Sequence, residues 1–165
     1  MQVSQPSGCA AQCPPAETVT DVMLAASRLL VAVSARSIAA IDESITIPQF
    51  RLLVVLHALG PMKPSAVAEI LHVNPSNATR MVHRLISARM VERRVNPAIR
   101  REVVLTLTET GEKTVAEATL RRHRHIADIV ERMPELQRSY LVEALEAFTT
   151  AGGHNPVAAI PGAWI

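Results

Sequence analysis

Apolar residues recur every three or four positions between residues 17 and 43. This spacing predicts one long amphipathic helix, because residues three and four apart share a helix face. Thr46 and Gln49 then form a capping box with Pro48 in the first turn, and Gly60-Pro61 is a stop signal. These signals predict a second helix that begins just after Thr46 and ends at Leu59.

The middle of the chain changes from a helical to a strand-like pattern. A short apolar helix and a tight turn precede a longer helix, for which Asn74 is a good N-cap and Pro75 a good first residue. The buried stripe predicted for this longer helix is Ala78, Met81, Val82, Leu85 and Ile86. Runs rich in β-branched residues at 91–95 and 102–107 predict the two strands of a hairpin. Thr108 can cap the next helix, predicted at 112–133, and a last helix is predicted at 134–150.

The order of these elements predicts a mainly α fold with a small β-hairpin wing, a winged helix-turn-helix flanked by dimerisation helices. We expect five segments: a flexible N-terminal arm at 1–16, an N-terminal dimerisation helix at 17–45, a DNA-binding domain at 46–111, C-terminal dimerisation helices at 112–151 and a tail at 152–165.

Composition supports a folded, soluble chain. Hydrophobic residues make up 48% of it and aromatic residues only 2%, so the core must be built from aliphatic side chains and methionine. The most apolar runs, Leu29–Ala35 and Leu52–Leu59, are shorter than the roughly 18 residues of a membrane span. Residues 1–16 lack the basic start and apolar block of a signal peptide. We therefore expect a cytoplasmic protein with no membrane partner.

Positive charge is concentrated in one segment. Between His72 and Arg101 there are seven arginines and a single acid, Glu92, so the segment carries +6 and the rest of the chain −4, for a net charge of +2. Such asymmetry is typical of a nucleic-acid-binding surface, although a solvated helix face has the same composition.

The longer helix and the wing supply the candidate DNA contacts. In a helix-turn-helix the second helix enters the major groove through its N-terminal residues, and arginine can pair with guanine or with phosphate. The predicted DNA-binding residues are Ser76, Asn77, Thr79, Arg80, His83 and Arg84 on the helix and Arg94, Arg100 and Arg101 on the wing.

The flanking helices carry more apolar surface than a small winged domain can cover, which predicts a two-fold homodimer. The predicted interface residues are Val22, Leu29, Leu30, Val33, Ile126, Ile129, Val130, Leu141, Leu145 and Phe148.

Residues 46–111 resemble the MarR family of bacterial transcription regulators. Asn74–Arg80 resembles the start of the family's recognition helix, and Leu105–Gly111 its strand-to-helix signature. The resemblance implies an obligate dimer that binds double-stranded DNA at an inverted-repeat operator, usually as a repressor and often released by a small ligand or an oxidant. Two positions depart from the family pattern: Ile99 stands where an acid commonly orients the wing arginine, and Lys63 where a threonine often caps a helix.

Other functions remain open at this point. Cys9 and Cys13 lie four apart in the proline-rich arm and allow a redox-responsive regulator, and the winged helix allows a protein-interaction module without DNA binding. His123 and His125 point to different faces of a helix, so we expect no metal site there. The sequence has no phosphate-binding glycine loop, nucleophile elbow or His-Glu metal motif, and we expect neither enzyme activity nor a cofactor.

Overall fold

The structure is a computed structural model, and it describes residues 14–95, 99 and 102–153. Its elements follow the chain as six helices and two strands: α1 (Ala16–Ala39), α2 (Ile47–Leu59), α3 (Pro64–Leu71), α4 (Pro75–Ser87), β1 (Val91–Val95), β2 (Val103–Leu107), α5 (Glu109–Glu131) and α6 (Glu135–Ala151). The strands pair antiparallel, with Val91 opposite Leu107 and Val95 opposite Val103. The predicted mainly α fold with a β-hairpin wing is therefore confirmed.

Local hydrogen bonds fix the starts of the central helices. The Thr46 amide donates to Gln49 Oε1 over 2.8 Å and the Gln49 amide donates to Thr46 Oγ1 over 3.5 Å, which confirms the capping box. The Asn77 amide donates to Asn74 Oδ1 over 2.8 Å at the start of α4. Lys63 makes no side-chain cap bond at the start of α3. The side chains of Thr46, Gln49 and Asn74 thus satisfy backbone amide groups that a helix start leaves without an internal partner.

Helix α1 ends at Ala39, earlier than the predicted end near Glu43. Asp42 Oδ1 accepts hydrogen bonds from the Ser44 amide over 2.8 Å and from Ser44 Oγ over 2.6 Å. This local turn competes with the helix, because the Asp42 carboxylate accepts from the Ser44 amide, which a continuing helix would bond to a backbone carbonyl instead. Both bonds also lower the pKa of Asp42, and the bond from the Ser44 hydroxyl has the larger effect.

The chain divides into two compact units, residues 1–32 and 33–165, and the hydrophobic core described here lies in the second. Aliphatic side chains dominate it, as the low aromatic content predicts. The largest fully buried hydrophobic side chains are Val33, Leu52, Leu53, Val67, Val82, Leu85, Val91, Leu105 and Val115.

A close contact joins the wing to α5. A Cβ atom added at Gly111 would lie 2.2 Å from the carbonyl oxygen of Met90, so only glycine fits there. Thr108 reinforces the junction, since its amide donates to Met90 O over 3.1 Å and its hydroxyl donates to Arg89 O over 2.6 Å. Thr108 Oγ1 also accepts from the Gly111 amide over 3.1 Å, which confirms its predicted capping role.

Among the described helices, α1 alone is long and apolar enough, by length and composition, to cross a membrane. The shorter apolar runs Leu29–Ala35 and Leu52–Leu59 did not predict this property. A core helix of a soluble protein passes the same test, so the property assigns no location by itself.

Candidate nucleic-acid interface

Helix α4 has one buried and one open face. Ala78, Val82 and Leu85 are buried against the core, and Met81 and Ile86 are partly buried beside them. This is the apolar stripe that the sequence predicts. Because that stripe fixes the rotation of the helix, its polar residues must face solvent.

All six predicted DNA-contacting side chains of α4 are exposed, and they lie along its open face: Ser76, Asn77, Thr79, Arg80, His83 and Arg84. Two of the hydroxyl groups already donate locally, Ser76 to Asn74 Oδ1 and Thr79 to Pro75 O, each over 2.8 Å. Their oxygens remain available as acceptors, while Asn77 offers an amide side chain at the first turn.

The arginines of this region differ in their surroundings. In the described part of the chain, Arg80 and Arg84 have neither a hydrogen bond nor an ion pair from their side chains. Arg94 is different, because its Nε donates to Glu92 Oε1 over 2.8 Å and its Nη2 lies 2.5 Å from the same oxygen. Arg94 is thus partly neutralised within its own strand.

Several predicted functional residues lie outside the described residues, namely Arg100, Arg101, Cys9 and Cys13. Ile99, which stands where the family commonly has an acid, is described and exposed. No contact is therefore assigned to the two wing arginines.

Lys63 has a partner that the sequence did not indicate. Its Nζ forms an ion pair with a carboxylate oxygen of Glu102, just before β2. Met62, next to Lys63, also bridges to Leu105 of β2 through backbone hydrogen bonds of 2.8 and 3.1 Å. The start of α3 is thereby attached to the wing, although its side-chain cap is absent.

Two residues beside α4, a histidine and an arginine, have a left-handed backbone conformation. His72, before the helix, has φ 54°, and Arg89, after it, has φ 57°. Both residues belong to the basic segment, but their sequence gives no sign of this conformation, because a left-handed backbone is signalled mainly by glycine or asparagine.

A cavity of about 390 Å³ lies between the end of α1, α2 and α5. Its wall is mostly apolar and includes Phe50, while Arg122 and His123 supply polar groups. Burial lowers the pKa of the Arg122 guanidinium. The full lining is Ser34, Ser37, Ile38, Phe50, Ala118, Thr119, Arg122, His123, Ile126, Ala127 and Val130.

Polar contacts tie α5 to the helices around this cavity. Ser37 Oγ donates to Val33 O over 2.8 Å and lies 3.2 Å from Nδ1 of His125. At the other end of the α2–α5 contact, His57 Nδ1 lies 2.5 Å from Glu112 Oε2. Among the described residues, no group of three or more His, Cys, Asp or Glu side chains could hold a metal ion.

The predicted interface residues fall into two groups. Val22, Leu29, Leu30, Leu141, Leu145 and Phe148 are exposed, and α6 has no buried residue along its length. Val33 differs from the expectation, because it is fully buried within its own chain and belongs to the core. Ile126 and Val130 line the cavity, and Ile129 is partly buried.

Comparison with known proteins adds the family. Residues 45–103 match the sequence model of the MarR family. The crystal structure of RV1404 from Mycobacterium tuberculosis is 48% identical, covers 88% of this chain and 99% of its own, and superimposes with a TM-score of 0.81. The transcriptional regulator Tm0710 from Thermotoga maritima is 26% identical over 81% of this chain and 94% of its own, with a TM-score of 0.63.

A similar curated relative is YhbI of Bacillus subtilis, named an uncharacterised HTH-type transcriptional regulator. It is 30% identical over 97 residues, which is 59% of this chain. The match spans 63% of the length of YhbI.

Proposed function

The chain belongs to the MarR family of helix-turn-helix transcriptional regulators, and on that basis we propose that it is a cytoplasmic homodimer that represses transcription by binding an inverted-repeat operator. The observation that carries this proposal is the open face of α4. Its apolar stripe is buried in the core, and Asn77, Arg80 and Arg84 project from the other side. That arrangement suits a helix that lies in the major groove of B-DNA.

Charge supports a nucleic-acid partner over a protein one. The segment from His72 to Arg101 carries +6 in a chain whose net charge is +2. Arg80 and Arg84 have no internal partner in the described part of the chain, so both can pair with base edges or phosphates. A winged helix used only as a protein-binding module would not need this concentration of arginines.

The exposed apolar face of α6 supports a second copy of the chain as the dimer partner. Leu141, Leu145 and Phe148 recur at helical spacing and are all exposed. Exposed apolar surface of this extent marks an interaction site in a soluble protein. A two-fold dimer covers the same face on both copies and presents two recognition helices, which matches an inverted repeat.

We further propose that the cavity beside Phe50 receives the effector, a small and mainly apolar molecule that releases the protein from DNA. The cavity lies where the winged domain meets α5, so an occupant contacts both. Its volume is within the range of ordinary small-molecule sites, and apolar walls with a few polar groups are typical of such sites.

The DNA proposal is tested by selecting bound sequences from random DNA and then footprinting the enriched site at several salt concentrations. We expect two half-sites about 10 base pairs apart, centre to centre, and an affinity that falls steeply with salt. A single unrepeated half-site, or an affinity independent of salt, would contradict the proposal. Absence of any DNA shift at low salt would favour the protein-interaction alternative.

The effector proposal is tested with an apolar fluorescent probe, anilinonaphthalene sulfonate. We expect saturable binding to the native protein and release of operator DNA at the same probe concentrations. The cavity-filling variant Ala127→Phe is the matched comparison, and it should bind operator normally but resist the probe. Equal probe response in both proteins would show that the cavity is not the effector site.

A further inference from the structure

Two residues with left-handed backbone bracket the recognition helix. Among the described residues that are not glycine, His72 and Arg89 alone have positive φ, at 54° and 57°. His72 immediately follows α3 in the turn before α4, and Arg89 lies two residues beyond the end of α4. The two unusual conformations therefore mark the two ends of one functional element.

Backbone hydrogen bonds hold both residues in this conformation. At His72, its own amide donates to Glu69 O over 3.1 Å and the next amide, of Val73, donates to Ala68 O over 3.0 Å. At Arg89, its amide donates to Ile86 O over 2.9 Å. These bonds are the usual helix-ending pattern in which the left-handed residue is most often glycine.

Two further hydrogen bonds hold the backbone around Arg89. The Met90 amide donates to Leu85 O over 2.9 Å, and the Thr108 hydroxyl donates to the carbonyl of Arg89 over 2.6 Å. Arg89 therefore has a fixed backbone, and its side chain leaves from a fixed point.

A residue with a Cβ atom is disfavoured at positive φ relative to glycine. The chain nevertheless has a histidine and an arginine at these two positions, and both side chains are exposed. Within the described part of the chain, neither side chain has a hydrogen bond or an ion pair. The disfavoured conformations thus hold two polar side chains that have no polar partner within the described part of the chain.

Helix ends offer a purely structural explanation. A cation near a helix C-terminus is stabilised by the helix dipole, and both residues follow such an end. This explanation predicts a contribution to stability and none to DNA binding, so it can be separated experimentally from a role in recognition.

We propose that Arg89 and His72 are phosphate contacts that hold the DNA backbone at the two ends of α4, leaving the helix face between them to read bases. The inference rests on the proposed DNA-binding function and adds positioning residues to it. Helix α4 has 13 residues and so spans on the order of 20 Å, more than the roughly 12 Å width of the major groove. For a helix laid across the groove, groups at its ends lie over the flanking phosphates, and contacts to phosphates fix orientation but carry no sequence information.

Glycine substitutions test this directly, because they remove the side chain from a position that favours glycine. For Arg89→Gly we expect a melting temperature equal to or above that of the native protein. Affinity should fall about ten-fold or more for operator and scrambled DNA alike. The slope of log affinity against log salt should become shallower by about one unit per half-site.

His72→Gly should also keep its melting temperature and lose affinity for both DNAs, because it removes the imidazole that would contact the phosphate. Arg89→Lys should restore most of the affinity and the slope, since it keeps the charge. Lys113→Ala is the matched control, because it removes an exposed cation from α5, where Lys113 pairs with Glu109.

The possible outcomes are distinguishable. If the native protein shifts no DNA, the proposed function itself is wrong. If the native protein binds but the glycine variants bind equally well, only this inference is overturned and the two residues are structural caps. Loss of binding together with a lowered melting temperature, or without rescue in Arg89→Lys, would also overturn it.

Discussion

Gly111 shows how one residue type fixes the junction between the wing and α5. A Cβ atom added at Gly111 would lie 2.2 Å from the Met90 carbonyl oxygen, which leaves no space for alanine. We expect Gly111→Ala to lower the free energy of unfolding by about 1–3 kcal/mol, as overpacking does in other cores.

Chemical denaturation measures this change, and Gly152→Ala is its control. At Gly152 the nearest atom to an added Cβ would be 3.5 Å away, an ordinary contact. That variant should stay within about 0.5 kcal/mol of the native protein. Equal denaturation midpoints for both variants would show that the junction can relax.

The turn after α1 predicts a pH-dependent stability. The Ser44 bonds lower the pKa of Asp42 below its ordinary value of 3.8, so the ionised carboxylate favours the folded state. A group with a lowered pKa contributes stability above its unfolded pKa, and that contribution is lost as the pH falls through the folded value. Asp42 is half-buried and its bonds to Ser44 are exposed to solvent, so the contribution should be below about 1 kcal/mol.

Ser44→Ala should therefore destabilise the protein slightly at neutral pH and not at all once Asp42 is protonated. Thermal melts across the acidic range measure the difference. Ser87→Ala is the matched control, because the Ser87 hydroxyl donates to His83 O over 3.0 Å and involves no carboxylate. A Ser44→Ala effect that persists unchanged into acid would contradict this account.

At the scale of elements, α4 and β1 carry arginines of different expected importance. Arg80 is free on the open face of α4 within the described part of the chain, whereas Arg94 is paired with Glu92. We expect Arg80→Ala to cost about 1–3 kcal/mol of operator binding and to relax preference at one position of each half-site. Arg94→Ala should cost less than about 1 kcal/mol, because its charge is already partly satisfied.

Competition binding against operators changed at single positions measures both effects. Arg80→Ala should narrow the affinity difference between operator and scrambled DNA, and Arg94→Ala should leave it unchanged. The reverse ranking would place the specific contact on the wing.

The elements most readable from sequence are those fixed by local chemistry. The capping box at Thr46, the Asn74 cap and the buried stripe of α4 depend on neighbours within one or two turns, and all three were predicted correctly. Contacts between distant residues gave no signal. The Lys63–Glu102 ion pair and the His57–Glu112 contact became evident only once the chain was folded.

The same distinction between local and distant contacts explains where the sequence-based predictions were wrong or incomplete. The end of α1 was misplaced because a periodic pattern continues past Ala39, while the Asp42–Ser44 turn that stops the helix is a competing local interaction. Val33 was assigned to an interface because periodicity identifies an apolar face but not what covers it. The cavity was not located for a similar reason, since its lining comes from three separate helices.

At the scale of the whole molecule, the proposed function requires two copies. In that proposal a single α4 covers one half-site, and the exposed apolar face of α6 has no cover within the described chain. Joining two copies through α6 would cover that face and fix the distance between recognition helices. Effector binding beside Phe50 would then alter DNA affinity by changing how α5 meets the winged domain in each copy.

Leu145→Glu tests the assembly. Leu145 lies on the apolar face of α6, and a buried, unpaired carboxylate in the centre of an interface is costly. We expect the dimer dissociation constant to rise about 100-fold, or about 2.7 kcal/mol, when measured by analytical ultracentrifugation. Because no residue of α6 is buried within the described chain, the helical circular dichroism of the protein should be retained.

Leu59→Glu is the matched control, since Leu59 is a similarly exposed leucine at the end of α2, and it should remain dimeric. Operator affinity should fall with dimerisation in Leu145→Glu and not in Leu59→Glu. A Leu145→Glu protein that stays dimeric, or a native protein that is monomeric at micromolar concentration, would show that α6 does not form the interface.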